Sequence, residues 1–258
     1  MLKSLKRTFN IAGCNITIQS DLSEYHQGDP VSCELFITGG EYEQAADEIT
    51  ISLEESWTEG SGDNRRTVRR DRDKKSLTGN IILRPGETHK YEFSTQLPPN
   101  CRLSSGSGSL GWCLFVNVDV PGALDPNERL NLGVINHREF IAIWDSCVSD
   151  LRFTEGTFSF YGKRFIPPQP LQGELDCMDV ALSQLSPLSG STTHCTLTFD
   201  LQEKSMGDYF KMLTNKDKVK RELDFSNEEI FDSEGKPKSQ EIAQKIAAVM
   251  QEVVEANK

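Results

Sequence analysis

The stretch "RLSSGSGSLGWCLFVNVDV", residues 102 to 120, decides between two kinds of fold. Gly106, Gly108 and Gly111 carry the G-x-G-x-x-G spacing of a dinucleotide-binding loop. That fingerprint works only between a strand and a helix, because the helix N-terminus supplies the amides and the dipole that hold a pyrophosphate. Here "LPPNCRLSS" precedes the glycines, and Pro98 and Pro99 bar a central strand. After them Leu114, Val116, Val118 and Val120 alternate with Phe115, Asn117 and Asp119, the period of a strand. The stretch therefore predicts a loop leading into a strand, with no helix to face a phosphate. A kinase-type glycine loop fails as well, since V-A-I-K, H-R-D and D-F-G companions are missing.

The same period of two runs outward along the chain. Cys14, Ile16 and Ile18 alternate with polar residues, as do Val31, Cys33, Leu35 and Ile37, then Ile49, Ile51 and Leu53. Turn signals separate these runs: "QGDP" at 27 to 30, "TGGE" at 38 to 41 and "RPGE" at 84 to 87. Short amphipathic strands punctuated this way predict antiparallel sheets packed as a sandwich. A second sandwich is expected after "FIAIWDSCVSDL", with strands in "TFSFYGKRF", "GELDCMDVAL" and "THCTLTFDLQE". In the last of these Cys195, Leu197, Phe199 and Leu201 share one side. The predicted domains are residues 1–145 and 146–258. Helical pieces are expected at "SMGDYFKML" (205 to 213), at "SNEE" (226 to 229), which has capping-box form, and from Ser239 to about Ala256. The last carries Ile242, Ile246, Val249, Met250 and Val253 on one stripe, suited to docking on its own domain or on a partner.

Composition narrows the chemistry. The formal charge is −11, with 39 acids against 28 bases, which argues against a nucleic-acid partner. The seven cysteines are dispersed and lack a C-x-x-C pair, as expected of buried free thiols in a reducing compartment. The start "MLKSLKRTFNIAGC" lacks the apolar core of a secretion signal, and no hydrophobic run is long enough to span a bilayer. A soluble, cytoplasmic protein is expected. His26, His89, His137 and His194 stand singly, and G-x-S-x-G does not occur, so no catalytic, cofactor or metal site is predicted. "DPNE" at 125 to 128 and "DSEG" at 232 to 235 do not fit a calcium loop and read as solvated turns. An acid/base pair built from dispersed carboxylates is the remaining, weaker enzyme reading.

One run opposes the global sign. "RRTVRRDRDKK", residues 65 to 75, sets Arg65, Arg66, Arg69, Arg70, Arg72, Lys74 and Lys75 against Asp71 and Asp73. These seven cations are the candidate partner-binding residues, either as a docking loop for an acidic partner, a phosphorylated segment or an anionic membrane, or as a solvated hairpin tip held by its own domain. The basic N-terminus, with Leu2, Leu5 and Phe9 beside Lys3, Lys6 and Arg7, offers either a short amphipathic membrane contact or a lead-in to the first strand.

The order of these features resembles the sporulation-control family of arrestin-like proteins. "YHQGDPVSCELFITGGEYEQAADEITISLEESW" is similar to that family's Y-x-x-G-[DE]-x-V strand pair, Gly-Gly turn and following strand. "LRPGETHKYEFSTQLPPN" resembles its Pro-Gly turn and strand, and "GALDP" at 122 to 126 its Ala-Leu/Val-Asp-Pro segment. The chain departs from the family at Asn127, Glu128 and Arg129, and at Gln202, Glu203 and Lys204. The resemblance implies two tandem β-sandwich lobes and a non-enzymatic, cytoplasmic regulatory or scaffolding role. Under that expectation the partners are other proteins, bound through loops and strand edges. A second copy paired through strand edges and an anionic membrane surface are the alternatives.

Overall fold

A computed structural model describes residues 4–11, 13–104, 110–121, 127–159, 162–185, 192–202 and 218–257. The Gly106–Gly108 loop, the "GALDP" segment, Glu203, Lys204 and the helix expected at 205 to 213 lie outside the described residues. The chain is mainly β and divides into two compact units, residues 1–137 and 138–258.

In the first unit, sheet one runs β1 (Leu5–Ile11), β2 (Cys14–Ser20), β4 (Pro30–Thr38) and β7 (Thr88–Gln96) in spatial order. Sheet two runs β3 (Glu24–His26), β9 (Asn127–Ile135), β8 (Leu110–Asp119), β5 (Gln44–Glu59) and β6 (Arg66–Leu83). Pairing is antiparallel except for β3 against β9, which is parallel. Each apolar half of an alternating strand faces one shared core. Ile16, Ile18, Val31, Leu35 and Ile37 of sheet one meet Ile49, Ile51, Leu53, Leu114 and Val116 of sheet two, all buried. Within the stretch that opened the question, residues 110–119 form β8, a central strand.

The Gly-Gly turn after β4 is demanded by close approach. A Cβ on Gly39 would lie 2.0 Å from the Arg84 carbonyl oxygen, and one on Gly40 2.0 Å from that of Gly13. At the N-terminus, residues 5–11 form β1, with Leu5 and Phe9 packed on the core, so these residues do not form an amphipathic membrane helix.

In the second unit the sheet order follows the chain: β10 (Thr154–Ser159), β11 (Gly162–Ile166), β12 (Leu175–Leu185), β13 (Thr192–Leu201) and β14 (Lys218–Ser226). Among the described residues its apolar face is covered by helices rather than by a second sheet. α1 (Arg138–Ser149) contributes Ala142, Ile143 and Cys147. After the single-turn α2 (Asn227–Ile230), α3 (Ser239–Glu255) contributes Ile242, Ile246, Met250 and Val253. They close over Phe165, Met178, Val180, Leu197 and Phe199. α3 is docked within its own unit. The capping box read from "SNEE" is present, with Ser226 Oγ accepting from the Glu229 amide and the Glu229 carboxylate accepting from the Ser226 amide at 2.8 Å.

Candidate functional site

The basic run is not a loop. Residues 66–75 open β6, the edge strand of sheet two, paired along its whole length with β5. The register places Arg66, Val68, Arg70, Asp73 and Lys75 opposite Glu59, Trp57, Glu55, Leu53 and Ile51. Thr67, Arg69, Asp71 and Lys74 stand opposite Thr58, Ser56, Glu54 and Ser52, on the other face. The register shifts between Leu53 and Glu54, leaving Arg72 as the extra residue of a bulge.

The bulge has a chemical consequence. Glu55 continues the inward phase of Ile51 and Leu53, so its carboxylate is buried and 0 % exposed. Arg72 is turned onto it and donates through Nε at 2.8 Å and through Nη2. Arg102, from the segment after β7, brings its Nε to 3.9 Å from the other carboxylate oxygen and lays its guanidinium 4.6 Å over the Trp57 ring. On the outer face Glu54 is similarly enclosed. Arg129 donates to it at 3.1 Å while stacking 4.5 Å over Phe115, and Arg69 lies 3.6 Å away. Each buried carboxylate is thereby matched by two guanidiniums, the arrangement that keeps a buried charge tolerable. The Cys113 thiol beside Glu54 is pushed up to about 12, first by burial and then by that negative charge.

Of the seven candidate cations, Arg66, Arg69 and Arg72 are therefore held by carboxylates of β5. Arg66 pairs with Glu59 at 2.9 Å, and Glu59 lies below the usual carboxylate range because the Trp57 indole and Arg66 both donate to it. Arg65, Arg70, Lys74 and Lys75 have no ion-pair partner among the described residues. Lys75 stands at the wall of a cavity of about 500 Å³ that it shares with Asp21, Glu34 and Glu92. There Lys90 bridges Glu34 and Glu92 at 2.6 and 3.1 Å. Arg65, Arg70 and Lys74 are exposed.

The sequence reading missed Glu54, Glu55, Arg102 and Arg129. A signal for one of them was present, since Glu55 falls in phase with three inward residues of "ITISLEE", where a charge demands a partner. No sequence signal marks Arg102 or Arg129, which come from segments distant in the chain. Among the described residues no group of three or more His, Cys, Asp or Glu side chains is placed to hold a metal, and no helix is long and apolar enough to cross a membrane.

Comparison with known proteins gives the family. The chain is similar to the crystal structure of Spo0M, the sporulation control protein from Bacillus subtilis, with a TM-score of 0.56 at 16 % identity, covering 96 % of this chain and all of that one. At that identity the likeness shows the fold, which is arrestin-like. No curated protein matches. The family model described as SpoOM protein (Spo0M) matches residues 2–151, more than half of the chain, and by that match the chain belongs to the Spo0M sporulation-control family.

Proposed function

We propose that the chain is a non-enzymatic regulatory adaptor that binds other proteins along the β6 edge of sheet two. The observation that carries this reading is a surplus of charge on an unpaired edge. β6 holds six cations against two carboxylates, whereas β14, an edge of the other unit's sheet, holds three against two. Three of the seven cations in the run hold the strand to its neighbour, and Arg65, Arg70, Lys74 and Lys75 remain to meet a partner. A positive stripe on a protein of charge −11 steers and orients an acidic partner while the rest of the surface repels it. The nearby carboxylates Glu54 and Glu55 are engaged by arginines and so are poorly placed for acid/base work.

The test is quantitative affinity capture from source cells with the full chain and with a variant carrying R65Q, R70Q, K74Q and K75Q. Specific partners lost with the variant support the reading. Partners retained unchanged overturn it, as does salt-sensitive flotation of the native chain with anionic vesicles in place of any protein partner.

A further inference from the structure

An edge strand offers a row of amides and carbonyls that nothing in its own sheet pairs, and β6 presents that row along its 18 residues, interrupted at the bulge residues Arg72 and Leu77. What can complete it is decided by charge. A second copy would lay the cationic run 66–75 either on itself, where like charges directly opposite in a sheet destabilise it, or on the uncharged half 76–83, where its exposed cations gain no partner. An apolar strand would leave the exposed cations without partners. An acidic strand satisfies both the backbone row and the cations.

From this we infer that β6 is a site for strand addition, taken by an extended, Asp/Glu-bearing segment of a partner protein that pairs with it as the sixth strand of sheet two. The inference rests on the adaptor reading and makes it specific.

The geometry sets the pattern of that segment. Arg70 and Lys74 lie on opposite faces of β6, because their β5 partners Glu55 and Ser52 are an odd number of residues apart. They are separated by roughly 10–13 Å along the strand. The partner therefore needs a carboxylate on each face at about that separation. Between them Asp71, which accepts from Ser52 Oγ at 3.1 Å, and Asp73 repel an acid placed directly opposite, so neutral or basic residues belong there. Lys75 lines a cavity with Asp21, Glu34 and Glu92 of its own unit, so it adds to the positive charge of the edge but does not set the register of the segment. Backbone pairing supplies affinity in such complexes, and the side chains supply register and choice of partner.

The experiment measures binding of the full chain to a fluorescent peptide of Val and Thr that carries two Glu three residues apart, and so one on each face of the strand, at physiological salt. Two comparison peptides are used: the same sequence with alternate backbone amides N-methylated, and one with Lys in place of Glu. The expected result is binding of the Glu peptide, with an affinity loss of about tenfold or more on N-methylation and on R70Q/K74Q, and no binding of the Lys peptide. Arg70 and Lys74 are exposed and make no ion pair among the described residues, so the variant is expected to keep its fold, and its circular dichroism checks this. Equal binding of the N-methylated peptide overturns strand addition while leaving a charge-only adaptor edge standing. Failure of the Glu peptide to bind overturns strand addition as well, and the capture experiment then decides the adaptor reading separately. Binding to anionic vesicles that the Glu peptide does not compete away overturns the assignment of the edge to a protein strand.

Discussion

Arg70 and Arg72 are two residues apart and of the same type, yet they do opposite work. Arg72 is the bulge residue whose guanidinium closes on a carboxylate with no exposed surface; Arg70 points into solvent beside it. Removing Arg72 leaves Glu55 buried with only the 3.9 Å approach of Arg102 for compensation. Since Arg72 is itself 30 % exposed, water relieves part of the penalty, and R72Q is expected to lower stability by about 2–4 kcal/mol. R70Q removes a solvated cation and is expected to stay within ~0.5 kcal/mol of the native chain. Urea unfolding of the two variants side by side checks the contrast. Equal midpoints would mean that Glu55 is satisfied without Arg72.

The elements differ in how visibly the sequence announces them, and the difference follows from burial. β2 and β4, and β8 from Phe115 to Asp119, have one face on the core and the other at least partly open to water, so their alternation is plain, and the residues it singles out (Ile16, Leu35, Val116) are buried. β6 has both faces wet along its basic half, where nothing selects for alternation, and so it looks like a loop. α1 hides for another reason. Its Phe140, Ile143, Trp144 and Cys147 have helical spacing, but the run "FIAIW" is too short and too uniformly apolar to distinguish a helix from a buried strand. α3 is long enough for its stripe to be unambiguous, and Ile246 at its middle is fully buried. I246A is accordingly expected to cost about 2–4 kcal/mol, read as a drop in the thermal or urea midpoint. An unchanged midpoint would mean that the helix does not cover the sheet. The candidate site was legible only as composition: the seven cations stood out by sign, but which of them are free depended on a bulge and on two arginines that local sequence does not reveal.

At the scale of the molecule, both units bury thiols, and six of the seven tie stability to pH. All seven are free and buried. Burial is the leading cause in each case that raises Cys33, Cys113 and Cys147 to about 12, and Cys101 and Cys177 to about 11; Cys195 is raised further in the same direction. An unfolded chain gives up its thiol protons near pH 8.5, while the folded chain keeps them. Above that pH the folded state binds more protons than the unfolded one, so stability falls as pH rises. The stabilisation is complete below the unfolded value and is lost progressively toward pH 11 to 12. Three of these thiols lie in the first unit and three in the second, so both units are expected to weaken together. Urea unfolding in reducing buffer at about pH 7.5 and about pH 9.5 should show midpoints shifted down at the higher pH, by about 1 kcal/mol for each deeply buried thiol. A disulfide-exchange reagent at about pH 8 should react slowly with the folded chain and with all seven cysteines once urea is added. A flat pH dependence, or a fast native reaction, would mean that water reaches the thiols and that these cores are looser than their packing implies.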